Sequence, residues 1–392
     1  MKVSHEKEKF WSKDFVVALI GWQFLFMSIT LFFIFPLFLE DFGASKGRIG
    51  LIMGIHSLMA IFTRPIFGRL IDIKGRRSFS LIGMAFLIVV LPFYHLIQDA
   101  GTLPLLLRAL TGIGWGVSMT ATITICSDMA PVQRLARSMG IIGVAGLVAV
   151  AIGPLLGEEI VRHYGYGGLF KTSFIFLCIA FICILLTKET IKPNDGNLSS
   201  KPKLPPNLTF VVFCFIATLP IVHGAVRGSV INFIALFGKS IQLERIGSFF
   251  LAFSAAAIMT RLFFGGLSDK YGRKTVLFPA VIVISLNMFI IAHTGNLWMF
   301  TLAGFIGGLG QGLIFPALST YMIDIFGQAN KGLALSLYLT CFDVGMGAGS
   351  AFFGWISDLY GFPVMFMSAG LLFFVISFVF MWKAPNPKSF IS

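Results

Sequence analysis

Residues 62–78 read FTRPIFGRLIDIKGRRS, and residues 259–275 read MTRLFFGGLSDKYGRKT. At a constant offset of 197, eight of the 17 positions are identical: Thr63, Arg64, Phe67, Gly68, Leu70, Asp72, Gly75 and Arg76, each with its partner. A weaker pair keeps step with them, GIGWG at 112–116 against GLGQG at 308–312, and Asp128 is answered by Asp324 at the same offset of 196. The chain repeats itself at half its length, the mark of two copies of one structural unit.

Each copy lies among long apolar runs. A bilayer core of about 30 Å needs roughly 20 apolar residues per helix, and residues 16–39 supply 24 positions without a formal charge. That run is too long for a signal-peptide core and is followed by no small-residue cleavage site, so it is expected to stay as a span. Further runs lie near 49–71, 78–97, 103–127, 138–160 and 169–187. A polar stretch at 188–207 (KETIKPNDGNLSSKPKLPPN) has no apolar face to bury, and six more runs follow near 208–237, 246–267, 276–293, 297–323, 332–355 and 363–382.

Composition agrees. Of 392 residues, 57% are hydrophobic and 12% charged, with 44 Phe, against about 25% charged in an ordinary soluble domain. A soluble single-core enzyme, a disordered or fibrous chain and a nucleic-acid binder are all excluded by that balance. The 30 Lys and Arg point to orientation instead: 20 fall in the segments that share a side with both termini, six (Lys46, Arg48, Arg162, Lys171, Lys239, Arg245) in the opposite loops, and four within spans. Positive charge collects on the cytoplasmic face, so both termini are expected there, in a multi-pass protein of the inner (plasma) membrane. The five cysteines all lie in spans without paired spacing, so neither a disulfide nor a metal site is expected. No P-loop, GxSxG elbow, HExxH or dinucleotide fingerprint is present, so ATP bound to this chain drives nothing.

Gly68-x3-Asp72-x2-Gly75-Arg76-Arg77 resembles the signature loop between spans 2 and 3 of the major facilitator superfamily, and Gly265-x3-Asp269-Lys270-x-Gly272-Arg273-Lys274 matches it throughout. The first copy departs only at Ile73, where a basic residue is usual. The resemblance covers essentially the whole chain. It implies an all-α membrane protein of twelve transmembrane helices in two pseudo-symmetric six-helix bundles, with halves at 1–187 and 208–392 and a cytoplasmic linker at 188–207. It also implies secondary transport by alternating access, not an enzyme, and no cofactor. The expected partners are a small-molecule substrate, protons and membrane lipid, with no nucleic acid, for a monomer. By the same resemblance Asp72 latches the halves together on the cytoplasmic side. The loop glycine allows a tight turn, the Asp suits a helix N-terminus, and the trailing Arg/Lys pair is expected to anchor in the anionic leaflet.

Span 4 carries Arg108-x2-Thr111-Gly112-x-Gly114-x-Gly116, similar to the family's fourth-span motif, with Thr111 where Gln is common. Span 5 holds Ala149-x3-Gly153-Pro154-x2-Gly157, similar to the motif of proton-coupled exporters, though Ala149 replaces a Gly and Glu158 follows where a last Gly is expected. Gly153, Pro154 and Gly157 are read either as a hinge or as close packing against a neighbour.

Charges at depth are costly and therefore functional candidates. Asp343, about eleven residues into span 11, is read as the proton-coupling site, or else as a structural ion pair. Arg227, with His223 one turn away on the same face, is expected to pair with Asp343, with an anionic substrate group, or with each in turn. Arg108, Trp22, Gln23 and Gln311 join them as expected residues of one central cavity that leans positive and suits acidic substrates. Arg64 and Arg261, each eight residues before a loop Asp, are read as gating residues, and Glu158 and Glu159 as wetted. The reading is a proton-coupled exporter of a small organic compound. Its rivals are a proton-coupled importer of an organic acid or nutrient and a non-transporting membrane receptor or scaffold.

Overall fold

Inside a bilayer a helix satisfies all its backbone hydrogen bonds without a partner strand, and the apolar runs fold accordingly. The computed structural model describes residues 12–129, 135–190, 209–327 and 330–384; the side chains of 64, 65, 68, 69, 72, 73, 135–137 and 269 lie outside that description. The first half comprises α1 (Lys13–Asp41), α2 (Lys46–Lys74), α3 (Arg76–Leu96), α4 (Thr102–Asp128), α5 (135–164) and α6 (166–185). The second comprises α7 (Phe210–Ser240), α8 (Gly247–Phe264), α9 (Arg273–Ala292), α10 (Leu297–Phe326), α11 (331–360) and α12 (362–383). A single turn of helix, Leu267–Tyr271, joins α8 to α9.

The repeat seen in the sequence is a repeat of backbone geometry. Gly165 (φ +66°) and Gly361 (φ +82°) turn the chain at the α5–α6 and α11–α12 corners, so the gaps expected there shrink to one residue. Gly75 (φ +115°) and Gly272 (φ +93°) make the two signature turns, in a region of backbone space open to glycine and costly for other residues. Helix starts are capped locally where the sequence offers a cap: Ser12, Ser45, Thr209 and Asn296 each accept from the amide three residues on, at 2.9–3.3 Å.

Between helices in lipid there is little hydrophobic drive, so small residues that let backbones touch decide the packing. This is the work of the GIGWG/GLGQG pair. A Cβ on Gly112 of α4 would collide with the His56 carbonyl of α2, and one on Gly308 of α10 with the Phe253 carbonyl of α8. Large apolar side chains such as Val89, Ile182, Leu286 and Phe378 point outward, more than half exposed, as the lipid-facing surface of a multi-pass membrane protein. The two halves meet along α2 against α11 and α5 against α8. We call the end carrying the signature turns the linker end, and the opposite one the far end.

Candidate functional site

At the linker end the signature turns are tied to their own halves. The Arg76 guanidinium pairs with Asp128, and Arg273 Nε meets Asp324 Oδ2 at 2.8 Å. Arg77 donates to the carbonyls of Ile184 and Leu185 at the end of α6, and Lys274 to those of Met381 and Ala384 at the end of α12. These four cations, expected as leaflet anchors, bind helix C-termini and carboxylates of their own halves, where the end of the helix dipole is negative. Glu189 accepts from the amides of Arg76 and Arg77 at 2.9 and 3.1 Å, capping α3, whose own start is a glycine. Gly265 follows α8 in ordinary helical geometry. The expected latch and gate at Gly68, Asp72, Asp269 and Arg64 fall on positions whose side chains lie outside the described residues.

At mid-depth, among the described residues, two small cavities take up residues expected in one. Arg108 sits in the first half, 5% exposed, with its guanidinium 5.7 Å from the Phe32 ring centroid. It lines a cavity of about 20 Å3 with Phe32, Tyr94, Thr111 and Trp115. Thr111, standing where Gln is common, joins this group: its hydroxyl lies 3.4 Å from His56 Nδ1 and 3.3 Å from the Tyr94 hydroxyl, and donates to the Arg108 carbonyl. In the second half Arg227 lies over the Phe253 ring at 4.2 Å and shares a second cavity of about 20 Å3 with His223, Asn287 and Gln311. His223 Nε2 is 3.0 Å from Gln311 Oε1, and its ring packs on Phe342 and Phe373. Each cavity has room for about one water-sized group, and each is lined from one half alone.

The expected Arg227–Asp343 ion pair is not formed in this conformation; the guanidinium rests on an aromatic face instead, a contact that a buried cation can use in place of a carboxylate. Asp343, 8% exposed, belongs to a different neighbourhood. Buried Tyr338 feels both Asp343 and Arg261, and the Arg261 guanidinium lies 5.7 Å from the ring of Phe315, which packs edge-on to Tyr338. Arg261 also reaches the other half, its Nη1 standing 3.0 Å from where a Cβ on Gly143 of α5 would be.

Trp22 lines neither cavity: its indole N–H donates to the Ile142 carbonyl at 3.2 Å, clamping α1 to α5. Gln23 beside it is half-buried. In span 5 the close-packing reading has direct support, since a Cβ on Gly153 would meet Thr30 of α1, whose hydroxyl donates to the Ala149 carbonyl at 2.9 Å. Gly157 packs on Leu169, Ile34 and the Leu31 carbonyl, and Pro154 removes one backbone donor between the two glycines.

Six hydrogen bonds between described residues join the halves, and all six lie at the far end. Asp358 of α11 accepts from the amides of Lys46 and Gly47 at 2.7 Å each. Glu158 of α5 accepts from those of Ile246 and Gly247 at 3.1 and 2.7 Å. Lys239 donates to Asp41 at 2.7 Å and lies 3.1 Å from Glu40; Arg162 donates to the Glu244 carbonyl at 3.1 Å. Glu158 is therefore not simply wetted. His56, Tyr94 and Asp358 escaped the sequence reading. His56 carried the same signal as His223, a polar ring in mid-span, and Asp358 answers Glu158 at an offset of 200 rather than 197.

Comparison with known proteins agrees with this geometry. Multidrug resistance protein MdtG of Salmonella choleraesuis (strain SC-B67) is 25% identical over 398 residues, covering 95% of this chain and 96% of that protein. MdtG of Salmonella typhimurium (strain LT2) is similar to the same extent. Among solved structures, a bacterial homologue of the human lysosomal transporter Spinster, inward-facing and unoccupied, superposes with a TM-score of 0.76 at 15% identity, covering 97% of this chain and 98% of that one. The human organic anion transporter MFSD10 gives a TM-score of 0.67 at 15% identity, with coverages of 94% and 100%. The family model of the Major Facilitator Superfamily matches residues 17–238 and again 208–391. The chain belongs to the Major Facilitator Superfamily and is a multi-pass membrane transporter.

Proposed function

We propose that the protein is a proton-coupled exporter of small organic compounds, working by alternating access in the inner membrane with both termini in the cytoplasm. The observation that supports alternating access is the bonding of the halves at the far end, where all six cross-half hydrogen bonds between described residues lie. With the positive-inside orientation, that is a molecule closed to the outside. Rocking bodies of residues 1–187 and 208–392 would open the far end.

Export is favoured over import by the curated relatives, named as multidrug resistance proteins, and by the span-5 motif. Asp343 is the group we assign to proton coupling: it is the buried acid of α11, and its charge acts on the buried Tyr338. Arg227 and Arg108, each resting on an aromatic ring in its own half, make the interior positive and suit a substrate with an acidic group.

The test is untargeted mass spectrometry of cell extract and spent medium from a deletion strain, an overproducer and Asp343→Asn. Export requires compounds that build up in deleted cells and in the medium of the overproducer but not of Asp343→Asn, with membrane levels unchanged. A medium component left unconsumed by the deletion strain makes the protein an importer.

A further inference from the structure

The two halves finish each other's helices. The first amides of a helix have no partner within it, and a nearby side chain of the same chain segment usually serves them. At the far end this service crosses between halves. Helix α8 has no side-chain cap of its own: Ile246 stands at its N-cap position, and the amides of Ile246 and Gly247 are taken by Glu158 of α5. Helix α2 has a local cap for the Arg48 amide in Ser45, while its first two amides, Lys46 and Gly47, are taken by Asp358 of α11. The arrangement obeys the pseudo-symmetry residue by residue, since Glu158 and Asp358, Lys46 and Ile246, and Gly47 and Gly247 each stand 200 positions apart. Glycine in the second place is part of it. A Cβ on Gly47 would lie 2.9 Å from Asp358 Oδ2, its nearest neighbour, so a side chain there would push the carboxylate off its amides; one on Gly247 would meet Leu155 Cα of α5 at 2.7 Å and Glu158 Oε2 at 3.1 Å.

We infer that Glu158 and Asp358, each capping the opposite half's helix, form a two-fold lock that holds the far end shut, and that Gly47 and Gly247 are its keyholes. The inference rests on the alternating-access reading above. Both helix starts lie at the aqueous end of the molecule, so when the halves part water can replace the carboxylates. The lock is therefore weak enough to be cycled. Capping substitutions cost enough to shift an equilibrium about fivefold each, so loss of both should shift it about 25-fold.

The experiment reads conformation rather than flux. Spin labels are placed at Gln98→Cys and Gly295→Cys, at the far ends of the two halves, in a full-length chain whose native cysteines have been replaced, and inter-label distances are measured in lipid nanodiscs. Glu158→Ala and Asp358→Ala are each expected to move weight from the short to a longer distance about fivefold, and the double variant about 25-fold. His163→Ala, whose ion-pair partner among the described residues is Glu159 of its own helix, is expected to leave the distribution alone. Should an alanine variant fail to fold, Gly47→Ala displaces the Asp358 carboxylate without removing a charge and is expected to shift the distances the same way. A double variant whose distribution superposes on the parent's overturns the lock. A shift in a protein that moves no compound in the metabolite comparison leaves the lock standing and removes the transport assignment.

Discussion

Arg273 at the start of α9 meets Asp324 at the end of α10 at 2.8 Å, and Arg76 at the start of α3 meets Asp128 at the end of α4 in the same way. The repeat offset matches Arg76 to Arg273 and Asp128 to Asp324; the fold pairs each arginine with the aspartate of its own half. Both Arg273 and Asp324 are about one-fifth exposed, so solvent screens the pair and its coupling should be about 1 kcal/mol. A double-mutant cycle with Arg273→Ala and Asp324→Ala, followed by thermal unfolding in detergent, checks it. Additivity of the two single changes would show that the pair contributes nothing to stability.

The signature glycines should differ in their tolerance of alanine. At φ +115° and +93° with extended ψ, Gly75→Ala and Gly272→Ala each carry about 1–3 kcal/mol of backbone cost. Gly75 has a second liability, because its Cβ would lie 2.7 Å from Glu189 Oε2, while at Gly272 the nearest atom is 3.9 Å away. Gly75→Ala should therefore lower the unfolding midpoint more than Gly272→Ala does.

Close helix contact predicts a sharper contrast. A Cβ on Gly224 of α7 would collide with the Phe342 carbonyl of α11, whereas one on Gly140 of α5 would meet nothing within 4 Å. Gly224→Ala should cost about 2–3 kcal/mol, because backbone has to move. Gly140→Ala should be neutral or stabilise by up to about 1 kcal/mol through helix propensity. Thermal unfolding of the two purified variants separates them.

Lys239 supplies a pH signature. Burial works against its charge, but hydrogen bonds and attraction from Asp41 and Glu40 outweigh it and leave the ammonium pKa raised above the ordinary 10.5. A raised lysine pKa stabilises the fold fully below the unfolded-state value and loses that contribution as pH climbs through the folded value. The stability difference between the parent and Lys239→Met should accordingly stay flat from pH 6 to 9 and shrink only above 10.5. A difference that faded by pH 8 would mean that Asp41 and Glu40 do not hold the ammonium.

Much of the architecture could be read from residue order. The apolar runs, the polar stretch at 188–207 and the doubled loop motif depend on local chemistry, and local chemistry is what a linear sequence displays. The glycines of GIGWG and GLGQG were seen as a repeat, but their partners, the carbonyls of His56 and Phe253, become visible only once α2 meets α4 and α8 meets α10. The same limit hid Asp358, which looks like an ordinary loop acid until α11 sets it on the amides of α2. Arg227 shows another limit: the sequence offers Asp343, an anionic substrate group, or each in turn as its partner, and the fold adds the face of Phe253.

Helix α11 has been cleared of side chains on two sides. Gly345 and Gly349 face α7, where added methyls would strike Ile221 and Ala225, and Gly347 faces α2, against Gly54 and Leu58. Surfaces of that kind have no interlocking teeth to lift over one another. Such a helix works as a plain bearing, able to turn or slide by small steps between neighbours at little frictional cost, and a single added methyl is grit in it. The speed of the transport cycle, as distinct from its direction or its cargo, should be written in these three glycines.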